Sequence, residues 1–205
     1  MITLNGTVQR LFYFPADPLT SMVYFSDLSR ATFHLPHITL AETYTDNRVR
    51  IRYQTVEIGA YTINIYCDLE LTVDVADKVI RIDPLAGCPP VENLATLNAT
   101  TGYGFYTSTA RLIPAEDDGT TIDYQFQFTS KLERPRGLRM MPRRIVDRIA
   151  QSISLGRVEE IADGFMESAT EAFPDWLAKQ KRSLTDDWLA TQNGAAGAAE
   201  ARKHG

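Results

Sequence analysis

From His37 to Leu132 apolar side chains keep returning at every second position, and this period of two excludes most of the folds open to a chain of 205 residues. The clearest run sets Tyr61, Ile63, Ile65, Cys67, Leu69, Leu71 and Val73 on one face, with Thr62, Asn64, Tyr66, Asp68, Glu70 and Thr72 on the other. A later run sets Ile122, Tyr124, Phe126 and Phe128 against Asp123, Gln125 and Gln127. Turn formers stand between such runs, at Asp46-Asn47, Gly59, Ala76-Asp77 and Asp117-Asp118-Gly119. An antiparallel meander with one solvated face is the structure this predicts. A stretch from Pro84 to Leu94, holding Gly87, Pro89 and Pro90, interrupts it as a long loop, and loops of that length are often functional.

The flanks read differently. Leu4 to Phe14 is one more strand, with Val8, Phe12 and Phe14 in phase. Asp17 then caps a helix whose first position is Pro18, and Leu19, Met22, Phe25 and Leu28 follow at helical spacing. A helix or helix pair is expected from Pro18 to Leu35, ended by Pro36. After Pro135 the pattern is helical to about Lys181, but its apolar face moves. At about 100° per residue Ile145, Ile149 and Ile153 share one side, while Val158, Ile161, Phe165, Ala169 and Phe173 occupy nearly the opposite one. A bend or break at Leu155-Gly156-Arg157 is expected, with Pro174 starting a further turn. Residues 182–205 are polar, then Ala/Gly-rich, and are expected to form a frayed or disordered tail.

This order, strand, helix pair, meander and long helical segment, predicts an α+β helix-grip domain over residues 1–181. A curved antiparallel sheet would close over a long, kinked C-terminal helical segment, leaving an apolar cavity between them. A lipocalin would place its strands consecutively, and a cystatin-like cone lacks the terminal helix. A pocket of roughly 300–1,000 Å³ under that helix is the corresponding expectation.

Composition narrows the class of partner. At 44% hydrophobic and 23% charged, the chain suffices for one substantial core. A net charge of −5 and a pI near 5.2 argue against nucleic acid, whose binding rests on clustered cations. No run of 18 apolar residues occurs and Met1-Ile2-Thr3-Leu4-Asn5 lacks the order of a signal peptide, so a cytoplasmic protein is expected. Cys67 and Cys88 fit neither a disulfide framework nor a zinc spacing and read as reduced structural thiols.

Several runs resemble a known family: Tyr24-Phe25-Ser26-Asp27-Leu28-Ser29-Arg30, Leu35-Pro36-His37-Ile38, Tyr53-Gln54-Thr55-Val56-Glu57 and Arg139-Met140-Met141-Pro142. They are similar to those of a family of cyanobacteria and chloroplasts, a domain of unknown function in the START-like superfamily. That superfamily includes the birch-pollen allergen, the polyketide cyclases and the coenzyme Q-binding proteins. The similarity covers about Leu4 to Gln180. It implies a helix-grip fold and the binding of apolar molecules such as sterols, phospholipids, isoprenoid quinones, hormones or polyketides. It implies a photosynthetic host and a place beside an internal, thylakoid membrane, and it brings no catalytic motif with it.

Three groups of residues carry candidate chemistry. Between Lys131 and Arg148 seven cations, Lys131, Arg134, Arg136, Arg139, Arg143, Arg144 and Arg148, stand against Glu133 and Asp147, a local charge of +5. Leu138, Met140, Met141, Ile145 and Ile149 lie among them. Such a basic amphipathic segment reads as a surface for anionic lipid, with Arg136, Arg139, Met140, Met141, Arg143, Arg144 and Arg148 as its contact residues, or else as a solvated helix face. The cavity is expected to be lined by Tyr53, Glu57, Ile63, Ile65, Phe105, Thr107, Arg111, Tyr124, Phe126 and Ile149, with Glu57 and Arg111 able to pair inside it. His34 and His37 bracket Leu35-Pro36, but Pro36 breaks the helix that would align them, so structural histidines are expected and no metal site. No cofactor is expected, and Gly102-Tyr103-Gly104 lacks the spacing of a phosphate loop.

Three functions are compatible with these residues. The first is binding of a hydrophobic small molecule near a membrane surface. The second is a polyketide-cyclase-like enzyme, which needs a titratable group inside the pocket. The third is an assembly or interaction factor that meets a protein partner through the basic segment or the region of Trp176 and Trp188.

Overall fold

Strand β1 (Ile2–Phe14) buries Ile2, Leu4, Gly6 and Val8 and turns the residues between them to water, as the pleat requires. The Asp17 carboxylate then accepts from the amides of Leu19 and Thr20 and opens α1 (Pro18–Phe25), and Asp27 accepts from the amide of Arg30 and opens α2 (Leu28–Phe33). The expected helical stretch is therefore a pair, split where Asp27 takes its own cap. Seven strands follow: β2 (Ile38–Thr45), β3 (Arg48–Glu57), β4 (Tyr61–Asp74), β5 (Val79–Pro84), β6 (Leu94–Ala95), β7 (Ala99–Pro114) and β8 (Thr120–Leu132). A 3-10 turn (Arg136–Leu138) leads into α3 (Arg143–Ala201). This computed structural model describes the backbone of residues 1–57 and 60–201 and the side chains of residues 1–57 and 60–181. The turn expected at Gly59 and the side chains of the tail expected at 182–205, that of Trp188 among them, lie outside the described residues.

The strands form one sheet in the order β1-β8-β7-β5-β4-β3-β2, with β6 attached to β7. Its neighbours pair antiparallel, with one departure from a pure meander. Thr62–Tyr66 of β4 pair in parallel with Ala99–Tyr103 of β7. The cause is the shortness of β5. Both β4 and β7 run antiparallel to β5 and hence parallel to each other, and where β5 stops at Pro84 they close together. The chain divides into two compact units, Met1–Ala169 and Thr170–Gly205. The first holds the sheet, α1, α2 and α3 as far as Ala169. In the second, the rings of Phe173 and Trp176 pack with centroids 5.7 Å apart.

Over its first 27 residues α3 grips the sheet, and local sequence permits the approach. Gly6 has no side chain where a Cβ would come 2.6 Å from Val158 Cγ2, and the Ser154 hydroxyl donates to the Asn5 carbonyl at 2.8 Å. The break expected at Gly156 is not there: α3 continues through Gly156 and through Pro174. The moving apolar face has another cause, which is that the helix changes neighbours. Ile149 and Ile153 face the open part of the sheet. Further on, Phe165 packs against Tyr124 of β8 and Phe25 of α1, Gly164 lies under Pro36, and the Tyr24 hydroxyl donates to the Ala169 carbonyl. A helix held between a sheet and a helix pair buries different sides in turn without a break.

Candidate functional site

An elongated cavity lies between α3 and the concave face of the sheet. Its volume is about 110 Å³. Strand alternation supplies its sheet wall: Ile51, Tyr53, Thr55 and Glu57 from β3, Ile63, Ile65 and Cys67 from β4, Phe126 and Phe128 from β8. The helix supplies Val146, Ile149, Ile153 and Arg157, and Leu138 and Met141 close one end.

Glu57 and Arg157 are the charged residues of this wall, and they face each other. The Arg157 Nε donates to Glu57 Oε1 at 2.8 Å, Thr55 Oγ1 donates to the same oxygen at 2.9 Å, and Arg157 also pairs with Glu160. Glu160 in turn meets His37 Nε2 at 2.9 Å, so one polar chain ties β3 to α3 and to the start of β2. Hydrogen bonds from His37 and Arg157 hold the Glu160 carboxyl below its ordinary range, and those to Glu57 and Glu160 raise the Arg157 guanidinium. Burial pushes the Tyr53 hydroxyl up to about 12, and burial followed by the neighbouring Asp68 charge pushes the Cys67 thiol up to about 12. Both stay protonated at neutral pH.

Of the residues expected to line the cavity, Tyr53, Glu57, Ile63, Ile65, Phe126 and Ile149 do so. Tyr124 is inward but lines a second, separate void. Phe105, Thr107 and Arg111 are corrections. They occupy the opposite face of β7, where Phe105 is 52% exposed and its ring packs on Tyr103 at 5.3 Å. Arg111 is exposed as well, so the pairing expected between Glu57 and Arg111 is instead Glu57 with Arg157. The inward row of β7 is Thr100, Gly102, Gly104, Tyr106 and Ser108. Arg157 was missed, although a signal for it exists. It follows Ile145, Ile149 and Ile153 at successive steps of four, and an arginine that continues an apolar face points at a buried partner.

The basic segment lies beside Leu138 and Met141. Arg136, Arg139, Arg143, Arg144 and Arg148 are exposed, as is Met140 at 94%, whereas Met141 is half-buried and belongs to the cavity wall. Arg143 meets Asp147 at 3.5 Å, and among the described residues no carboxylate pairs with Arg136, Arg139, Arg144 or Arg148. Arg134 is turned inward, donating to the carbonyls of Leu138 and Met141 and so fixing this turn. Leu97 is exposed beside it, its carbonyl accepting from the Gly137 amide at 2.9 Å.

The chain's architecture is a helix-grip one, an antiparallel sheet embracing a long C-terminal helix with two short helices after the first strand. No protein-family model matches the chain, and no curated protein does. The expected likeness to a cyanobacterial and chloroplast family therefore stays an expectation. Among solved structures it is similar to TTHA0849 from Thermus thermophilus, with 20% identity over 81% of this chain and 98% of that one, at a TM-score of 0.44. It is similar to the Zhui aromatase/cyclase from a Streptomyces species, with 12% identity over 82% and 90% of the two chains, at a TM-score of 0.46. A third is Ara h 8.0201, with 14% identity over 82% and 96%, at a TM-score of 0.37. The fold is assigned on element order and sheet topology, and the chemistry of the site on its own residues.

Proposed function

We propose that the chain binds a hydrophobic small molecule, of the lipid, isoprenoid or pigment class, in the cavity under α3, and exchanges it at an anionic membrane surface. One observation carries the reading: among the described residues the wall is apolar, and its one carboxylate is already paired with its one guanidinium. An interior of that kind rewards an apolar guest and leaves no free charge to be desolvated. Binding is favoured over proton-transfer catalysis because the polar groups of the wall are already committed: Glu57 accepts from Arg157 and Thr55, and burial keeps Tyr53 and Cys67 protonated. The membrane part rests on the unpaired arginines and exposed Met140 next to Leu138 and Met141 of the cavity wall. Among the described residues no helix is long and apolar enough to cross a membrane.

The test is to purify the protein from its own host under mild conditions and identify extracted small molecules by mass spectrometry. An apolar compound is expected at near-equal molar ratio, lost from an Ile149→Trp variant that fills the cavity. Recovery of protein with no such compound, together with failure to take up an added lipophilic dye, overturns the reading.

A further inference from the structure

The concave face holds a second void, and it lies in line with the first. Its volume is about 50 Å³, and it is walled by Phe12, Phe25, Leu35, Ile80, Leu112 and Ile122 among others. Along β7 the first cavity takes Thr100 and Tyr106, and the second takes Tyr106, Ser108, Ala110 and Leu112. Along β8 the first takes Leu132, Phe128 and Phe126, and the second takes Tyr124 and Ile122. The two voids thus follow one another along the same pair of strands. Between Leu132 and Ile122 the strand covers about 33 Å at roughly 3.3 Å per residue. Tyr106 belongs to both walls.

The partition has an unusual composition for an apolar wall. The Tyr106 and Tyr124 rings flank Phe126 at 5.5 and 5.8 Å, and their hydroxyls meet at 2.7 Å. Ser108, the next inward residue of β7, adds a third hydroxyl beside them. Phenylalanine at both positions would fill the same space with no buried polar atom to satisfy. A hydroxyl pair gives the closed position one directional contact, weak enough for the burial of a few methylene groups to outweigh it.

We propose that the two voids are compartments of one tunnel divided by Tyr106, and that the ligand is an extended chain, acyl or isoprenoid, whose far end passes Tyr106 into the rear compartment. This rests on the reading that the cavity binds a hydrophobic molecule. The polar end stays toward Tyr53, Glu57 and Arg157, and the rear compartment, with Ala110 and Ala31 among its walls, selects for chain length. A compact ring system would occupy the first cavity alone and leave Tyr106 in place.

The experiment measures binding of a short, a medium and a long unbranched fatty acid to the full chain by equilibrium dialysis, with a naphthalene sulfonate dye as a compact probe. Wild type is compared with Ala110→Phe and Ala31→Met, which fill the rear compartment from opposite walls, each checked for folding by circular dichroism and melting. Affinity is expected to rise with chain length in wild type. Either rear-filling variant should lower long-chain affinity at least tenfold and leave the short chain and the dye unchanged. Tyr106→Phe should speed long-chain uptake. Long-chain binding that both folded rear-filling variants retain overturns the tunnel. Binding of the dye with no preference for longer chains also overturns it and leaves the cavity reading standing, whereas binding of neither dye nor any chain removes both.

Discussion

His34 sits where α1, α2 and α3 meet. Its Nδ1 is 2.9 Å from the Ser168 hydroxyl and its Nε2 is 3.2 Å from the Tyr24 hydroxyl, which itself donates to the Ala169 carbonyl. Burial, and after it the charge of Arg30, lower its pKa below the ordinary value of 6.5. The unfolded chain therefore takes up this proton before the native one does. The stability that neutral His34 contributes is complete above about pH 6.5 and is lost as the pH falls from there through the lowered native value. Melting temperatures followed from pH 8 downward should decline below that point, and a His34→Gln variant should show a shallower decline, the difference being at most about 1.4 kcal/mol per pH unit for one proton. Equal slopes would show that His34 is not the titrating group. The Asp68 carboxylate is a second case. Burial alone would raise its pKa, but Arg50, at 2.7 and 2.8 Å, and Tyr44, at 2.9 Å, bring it below the ordinary range, so its contribution is lost at still lower pH.

At the scale of elements, Gly156 separates two accounts of α3. An unbroken helix has no need of glycine there, and a Cβ added at Gly156 meets nothing within 4 Å. Gly156→Ala should then stabilise the protein by about 0.5–1 kcal/mol in chemical denaturation, whereas a glycine required by a kink would make the same change destabilising. The same helix shows where sequence periodicity misleads. Its two apolar sides were legible, but the inference from two sides to two helices assumed a single flat partner, and the chain supplies a sheet and then a helix pair. Strand β7 misleads in the opposite way. Its outward row carries Tyr103 and Phe105, and its inward row carries Gly102, Gly104 and Ala110, so a reading by hydrophobicity selects the wrong face. The inward glycines of this strand make room for the side chains of neighbouring elements, Ile65 and Phe128 over Gly104 and Leu132 over Gly102. Gly104 shows how tight this is: a Cβ there would come 2.8 Å from both Ile65 Cγ2 and Phe128 Cε2. On β4 and β8 the large residues point inward, and there the alternation in the sequence and the faces in the structure agree.

For the molecule as a whole, charge is divided between a basic segment and an acidic remainder, which sets an orientation at any charged surface. Vesicles containing anionic lipid should bind the protein at low salt and release it as ionic strength rises, while neutral vesicles should not bind it. Replacing Arg139 and Arg144 together by Gln should cost about 2 kcal/mol, roughly thirtyfold in partitioning, and Met140→Asp should weaken binding without changing its dependence on salt. Indifference to lipid charge would remove the membrane from the reading. The attachment of α3 adds a property of another kind. From Ser154 onward its side chains and backbone are tied to the rest of the first unit by polar contacts, through Asn5, Glu57, His37, Arg10, His34 and Tyr24. Ahead of Ser154, among the described residues, no side-chain hydrogen bond joins the helix to the sheet, and apolar contact alone holds it down. Apolar attraction fades on cooling and polar ties do not fade in the same way. The front of α3, above the cavity and next to the arginines, is therefore a cold-sensitive margin on a helix whose rear stays fastened, and on the proposed reading the exchange of a ligand would vary with temperature.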